Sequence, residues 1–262
     1  MNKTTQKRIS DIKQNGYSLD FGNVFNHAFE NYKKIALYGG LIIFVFFVLL
    51  SILGFGIVMA MFGAPAVLDF LKPENLKLEE MALPTLLMIT GISALTSSLF
   101  SPFTAGLIKM AYCAERDEEF HVSTMFEFFK APYFKELFMA TFLISMTSSI
   151  ISTIINFAQI PALGFIVTVT VTLFTILMIP LIIFGNLKAV EAIETSILLV
   201  SKQPLMLLGL IVIASIGVMV GLIGCCIGLF FTLPFMYSSY YAIYSEIVGF
   251  ENESETEFQE RI

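Results

Sequence analysis

The chain has 262 residues, of which 56% are hydrophobic and only 14% are charged, whereas an average soluble domain carries about 25% charged and about 45–50% apolar residues. Residues 35–68, 81–108, 137–187 and 203–245 contain no Asp, Glu, Lys or Arg at all, and apolar runs beyond about 18 residues read as membrane spans. An ordinary soluble fold is thereby excluded, and the expected class is an all-α integral membrane protein.

In chain order, residues 1–19 form a basic N-terminal arm, 20–248 a six-helix membrane domain and 249–262 an acidic tail. The predicted spans are 35–62, 84–112, 137–158, 162–187, 205–224 and 227–245, each near or above the about 20 helical residues that cross a hydrocarbon core of about 30 Å. The first two exceed that length and should tilt or emerge. Only Gly224-Cys225-Cys226 divides 203–245, and its length favours a tight hairpin of two spans over one. Thirteen of the fifteen Lys and Arg fall on one side of this layout, and only Lys72 and Lys77 on the other. The excess of positive charge marks the cytoplasmic side, so both termini are expected there. The first 34 residues are too long and polar for the lead of a cleaved signal peptide, so the first span should be retained. Cys113, Cys225 and Cys226 suggest no disulfide framework and read as small packing residues.

A unit recurs three times. A short amphipathic segment (24–34, then 122–130, then 190–200) places apolar residues three and four apart, the pattern of a helix lying in the membrane interface. In the second, Thr124 and Glu127 have capping-box spacing. Each segment leads into a span, an outer turn and a returning span that holds a proline: Pro102, Pro180 and Pro234. Each proline precedes a cytoplasmic acid (Glu115, Glu191, Glu246) by about 10–13 residues, or about 15–20 Å of helix. The result is a pseudo-threefold helical-hairpin repeat with three in-plane cytoplasmic helices. Each proline frees a backbone carbonyl, near Ser98, Ile176 and Phe230, for which Ser97, Ser98 and Thr175 are the nearest hydroxyl donors.

The layout resembles a family of bacterial multi-pass membrane proteins related to the membrane domain attached to some glycerophosphoryl diester phosphodiesterases. The resemblance rests on GLIKMAYCAERDEEF (106–120), AVEAIETSILLVSKQP (189–204) and IGLFFTLPFMYSSYYAIYSEI (227–247), and covers most of residues 20–248. In that family a phosphodiesterase, where present, is a separate soluble domain, for which these 262 residues leave no room.

No constellation for catalysis stands out. His27 and His121, the two histidines, are expected on cytoplasmic helix edges; His121 beside Glu118 and Glu119 matches no metal-ligand spacing. Neither a hydrolase elbow, a zinc-protease motif nor a phosphate loop is present. Apart from Lys109 near the end of 84–112, no charged residue falls inside a span, where coupled transporters usually keep one. The most polar intramembrane stretch, 145–159, puts Ser145, Ser148 or Ser149, Ser152 and Asn156 on one stripe, suited to close helix packing or to lining a ligand path. Gly54, Gly56 and Gly63, and likewise Gly217, Gly221 and Gly224, have the spacing of tight helix contacts. Tyr237, Tyr240, Tyr241 and Tyr244 are candidates for an interfacial aromatic belt. The outer loop 68–81 should form a short helix, and the tail 251–262 reads as unstructured.

The expected function is a non-enzymatic protein of the bacterial inner membrane, a scaffold or accessory factor in envelope or lipid physiology. Its expected partners are membrane lipids and proteins met through the cytoplasmic face; no nucleic acid, cofactor or metal is expected. The rival is a carrier of an apolar or lipid-like molecule, its midplane lined by Pro102, Pro180, Pro234, Ser148, Ser152, Asn156 and Tyr237.

Overall fold

The computed structural model describes residues 3–70, 72, 83–157, 161–224 and 227–250, and among them every regular element is helical. The helices are α1 (Lys3–Asn15), α2 (Phe21–Phe62), α3 (Ala64–Phe70), α4 (Leu83–Glu115), α5 (Val122–Met125), α6 (Tyr133–Phe157), α7 (Pro161–Thr175), α8 (Met178–Ile183), α9 (Ala189–Lys202), α10 (Pro204–Val220) and α11 (Ile227–Ile247). Single 3-10 turns at Glu127–Phe129 and Gly221–Gly224 complete the described elements. Among the described residues five segments are long and apolar enough to cross a membrane: Phe21–Phe62, Leu87–Glu115, Tyr133–Ile155, Ala162–Ile183 and Pro204–Gly224. Helix α11 is of similar length, but its second half carries three Ser, three Tyr and Glu246, which makes it more polar than the others. The architecture is thus all-α with five candidate membrane-spanning helices, the layout of a multi-pass membrane protein.

The first of the three in-plane segments is not separate. Asp20 caps α2 by accepting from the Asn23 N–H at 2.8 Å, and the helix runs unbroken for 42 residues to Gly63. At 1.5 Å per residue that is about 63 Å, twice the hydrocarbon core. Nothing breaks it at 31–34, since Asn31-Tyr32-Lys33-Lys34 contains neither Pro nor Gly. Gly63, at φ 76°, then stops it with its N–H on the Met59 carbonyl. The second segment is one turn of α-helix followed by one 3-10 turn, and Thr124 stands at the third helical position, where its hydroxyl accepts the His121 N–H at 3.2 Å. The Thr124–Glu127 capping box does not form. The third, α9, is a full amphipathic helix whose first N–H, on Ala189, is capped from α6 by Glu136 at 2.8 Å. The three units therefore differ at their entry helices.

The predicted span 162–187 is interrupted at Ile176-Leu177, between α7 and α8. Beyond Gly224 the chain reverses into α11, as the hairpin reading of 203–245 requires. Gly221 and Gly228 touch at this turn: a Cβ on Gly221 would lie 2.7 Å from the Gly228 carbonyl. Gly217 lies under the Phe235 ring, at 2.8 Å from where its Cβ would be, so this part of the second glycine set does pack tightly. Gly54, Gly56 and Gly224 would meet nothing within 4 Å. The outer half of α2 is exposed on all sides of the chain (Leu49, Ile52, Leu53, Phe55, Met61), so its glycines have no helix to approach. Of the outer loop, α3 is helical to Phe70; 73–82, Cys225, Cys226 and the tail 251–262 lie outside the described residues.

The arm is not a loose charged leader. Ile9 and Ile12 of α1 are buried in the main core. Tyr17 then donates its hydroxyl to the Leu199 carbonyl at 2.9 Å, and Lys202 reaches the Lys13 carbonyl at 3.0 Å. Burial pushes the Tyr17 hydroxyl pKa up to about 12. Tyr17→Phe should cost about 1 kcal/mol, the usual worth of one such bond. The check is protease sensitivity of the arm, with an unchanged cleavage rate arguing against docking.

Candidate functional site

The sequence places a candidate site at the prolines. Pro102 and Pro234 are interior to α4 and α11, Pro180 stands in α8, and all three are buried. The surroundings of the three prolines differ. At Pro102 the donor is Ser101, whose hydroxyl reaches the Ser98 carbonyl at 2.8 Å, while Ser98 turns back to Ala94 at 2.7 Å; Ser97 is exposed. Before Pro180 the helix breaks outright, and Ser196 of α9 fills the break. Its hydroxyl donates to the Phe174 carbonyl at 2.7 Å and accepts the Leu177 N–H at 3.2 Å. Thr175, the expected donor, bonds Val171 instead. At Pro234, Gly40 of α2 lies against the kink. A Cβ there would sit 2.9 Å from the Phe230 carbonyl and 2.8 Å from the Phe231 Cα, and Gly39 faces the Pro234 ring.

Along the polar stripe Ser145, Ser148 and Ser152 are half-buried, and the Asn156 side chain lies outside the described residues. The threonines beside them close on their own helices, Thr147 on Leu143 and Thr153 on Ser149, both at 2.8 Å. In α7, Thr168 and Thr170 do the same. Tyr237 is paired with Thr104 across α11 and α4. Two clefts are lined by other residues. One, of about 430 Å³, is a polar groove between α1 and α9 bordered by Lys13, Glu191 and Glu194. The other, of about 10 Å³, lies between α2, α10 and α11 beside Phe235, room for about one water.

What the structure does assemble is a charged junction where the N-terminal part of α2 meets the C-terminal ends of α4 and α11. His27 is central. Its Nε2 is 3.0 Å from Glu115 Oε2 and its Nδ1 3.4 Å from Glu246 Oε1. These two acids follow Pro102 and Pro234 by 13 and 12 residues, and the packing brings both to one imidazole. His27 is two turns before the uncharged stretch of α2, outside the span proper, and its side chain is 17% exposed. The hydrogen bond from Glu115, aided by Glu246, raises its pKa above the ordinary imidazole value against the opposing effect of burial. Glu115 is held correspondingly low, chiefly by the His27 hydrogen bond. Tyr241 stands edge-on to the imidazole, ring centres 5.9 Å apart.

Around this junction the helices are bolted by further contacts. Lys34 reaches the Ala114 carbonyl at 2.7 Å and Asp117 at 2.6 Å, and Arg8 of α1 the Ile247 carbonyl at 3.3 Å. Tyr112, Phe184, Tyr241, Tyr244 and Phe250 form one aromatic cluster, with Tyr112 and Phe184 stacked at 5.4 Å and Phe184 and Phe250 edge-on at 5.1 Å. Arg116 lies 4.5 Å and Lys109 4.0 Å over the Tyr112 ring. Tyr241 and Tyr244, expected as belt residues, are each only 1% exposed; they are core to this cluster, because the last turns of α11 pack on α8 and α4. Cys113 is buried. Among the described residues no group of three His, Cys, Asp or Glu is placed to hold a metal ion. No family model, curated protein or solved structure matches this chain.

Proposed function

We propose that the chain is a non-enzymatic multi-pass protein of the bacterial inner membrane, with six spans and both termini in the cytoplasm, acting as a scaffold or accessory factor in envelope or lipid physiology. The resemblance to the membrane domain of glycerophosphoryl diester phosphodiesterases belongs to this proposal. The observation that carries it is the use of the intramembrane hydroxyls. Ser98, Ser101, Thr147, Thr153, Thr168, Thr170 and Ser239 donate to carbonyls of their own helices. A permeation path needs such groups turned toward a lumen; here their donors are engaged within the helices. The charged residues meanwhile converge at one end of the bundle, where they can meet protein partners and lipid headgroups.

The test is mass spectrometry of what co-purifies with the detergent-solubilised protein, against an unrelated six-span control. Recurrent protein partners with no enriched small molecule are expected. A single lipid or metabolite enriched over the control would replace the scaffold with the carrier.

A further inference from the structure

We propose that His27 is a proton-operated latch: charged, it ties the N-terminal part of α2 to the C-terminal ends of α4 and α11 through Glu115 and Glu246, and neutral it releases one of them. This is independent of whether the chain serves as a scaffold. The argument is a count of donors. A carboxylate only accepts, so each contact needs an N–H from the ring, and a neutral imidazole carries one. Both nitrogens are at carboxylates, at 3.0 and 3.4 Å. Only the imidazolium satisfies both. Losing one proton turns a lone pair toward a carboxylate, and attraction becomes repulsion at that contact. The longer contact, to Glu246, is the one expected to open.

The junction is built to respond rather than simply to hold. The imidazole is mostly buried, while the Glu115 and Glu246 side chains are 39% and 41% exposed, so a released carboxylate can turn into water. The groups that face His27 are Glu115 from α4, with Arg116 beside it, and Glu246 and Tyr241 from α11. Each acid is on a different helix. Breaking one contact therefore loosens a three-helix junction rather than a local turn.

The raised His27 pKa sets the sign. The histidine's contribution is complete below its unfolded value of about 6.5 and is lost as pH rises through the higher folded value. The lowered Glu115 contributes fully above its unfolded value of about 4.3 and is lost as pH falls through the folded one. The latch is strongest between these limits and opens on the alkaline side, as pH rises through the raised His27 value.

With only two histidines in the chain, selective 15N-histidine labelling of the full protein in lipid nanodiscs gives two ring signals, and His121→Gln leaves one. Both His27 nitrogens should be protonated at pH 6, with a midpoint above about 6.5 that moves to lower pH in Glu115→Gln. Amide exchange of residues 24–31 and 241–248, corrected for intrinsic rate, should rise about fivefold or more between pH 6 and 8, and stay flat with pH in His27→Gln. A neutral His27 at pH 6 overturns the latch. So does an equal pH response in wild type and His27→Gln.

Discussion

Gly106→Ala is expected to destabilise the protein by about 3 kcal/mol, the upper part of the range for overpacked contacts. The added methyl would lie 2.5 Å from the Met125 Cα and 2.7 Å from its carbonyl carbon, and backbone, unlike the end of a long side chain, cannot turn aside. Met125 is itself buried, so relief requires lifting α5 from α4, and with it the Phe103–Phe126 contact, ring centres 6.3 Å apart. The control is Gly54→Ala, where nothing lies within 4 Å; it should be neutral or more stable by about 0.5–1 kcal/mol, since Gly weakens a helix interior. Thermal unfolding in one detergent compares the two. Equal midpoints for both variants would mean that α5 does not cross α4 as closely as described.

Ser196→Ala is expected to cost about 1–3 kcal/mol, because it leaves the Leu177 N–H and the Phe174 carbonyl without the hydroxyl that now bonds both. Ser196 is 0% exposed, so water does not readily replace it. The loss should be local: amide exchange should accelerate at 174–183 before elsewhere, since that is where the α7–α8 break is held. Ser196→Thr keeps the hydroxyl and should retain the protection if the extra methyl is accommodated. Uniform acceleration across the bundle in Ser196→Ala would show that the serine supports general packing rather than the break.

Pro102, Pro180 and Pro234 each remove a helix donor regardless of their neighbours; Pro102 and Pro234 stand inside continuous helices, while the chain is broken just before α8, which holds Pro180. Which group packs at each proline was not legible. Ser101 is adjacent in sequence, Ser196 is about twenty residues away, and Gly40 lies on another helix nearly two hundred residues from Phe230. Local spacing identifies candidate hydroxyls, but a serine in a helix has a carbonyl of its own within reach, four residues back, as Ser98 and Thr175 both use. The in-plane segment 24–34 reads as separate because its charges and apolar residues alternate at helical spacing; the same spacing continues smoothly into the span, and without a breaker a helix continues.

His27 shows the same division. Its type and its place near the cytoplasmic edge are read from the chain, as are the two acids that follow Pro102 and Pro234 at similar intervals. That all three meet depends on α2, α4 and α11 crossing with their ends level, a property of packing rather than of any local pattern. Likewise Tyr241 and Tyr244 have the composition of an interfacial belt, yet the angle at which α11 meets α8 buries them.

By itself the sequence determined the class: uncharged runs of membrane length, an asymmetric distribution of Lys and Arg, and prolines that must bend the helices carrying them. Those are consequences of solvent and of covalent geometry, and they hold whatever the neighbours do. Only the tertiary structure decided that the three prolines are buried, that α1 is docked, that glycines at 106 and 221 are contacts while those at 54 and 56 are not, and that His27 stands between two carboxylates. These depend on which helix face meets which. In a chain this uniformly apolar almost every face can be wetted by lipid, so hydrophobic pattern does not select the partner. Close fit, small residues and a few hydrogen bonds do.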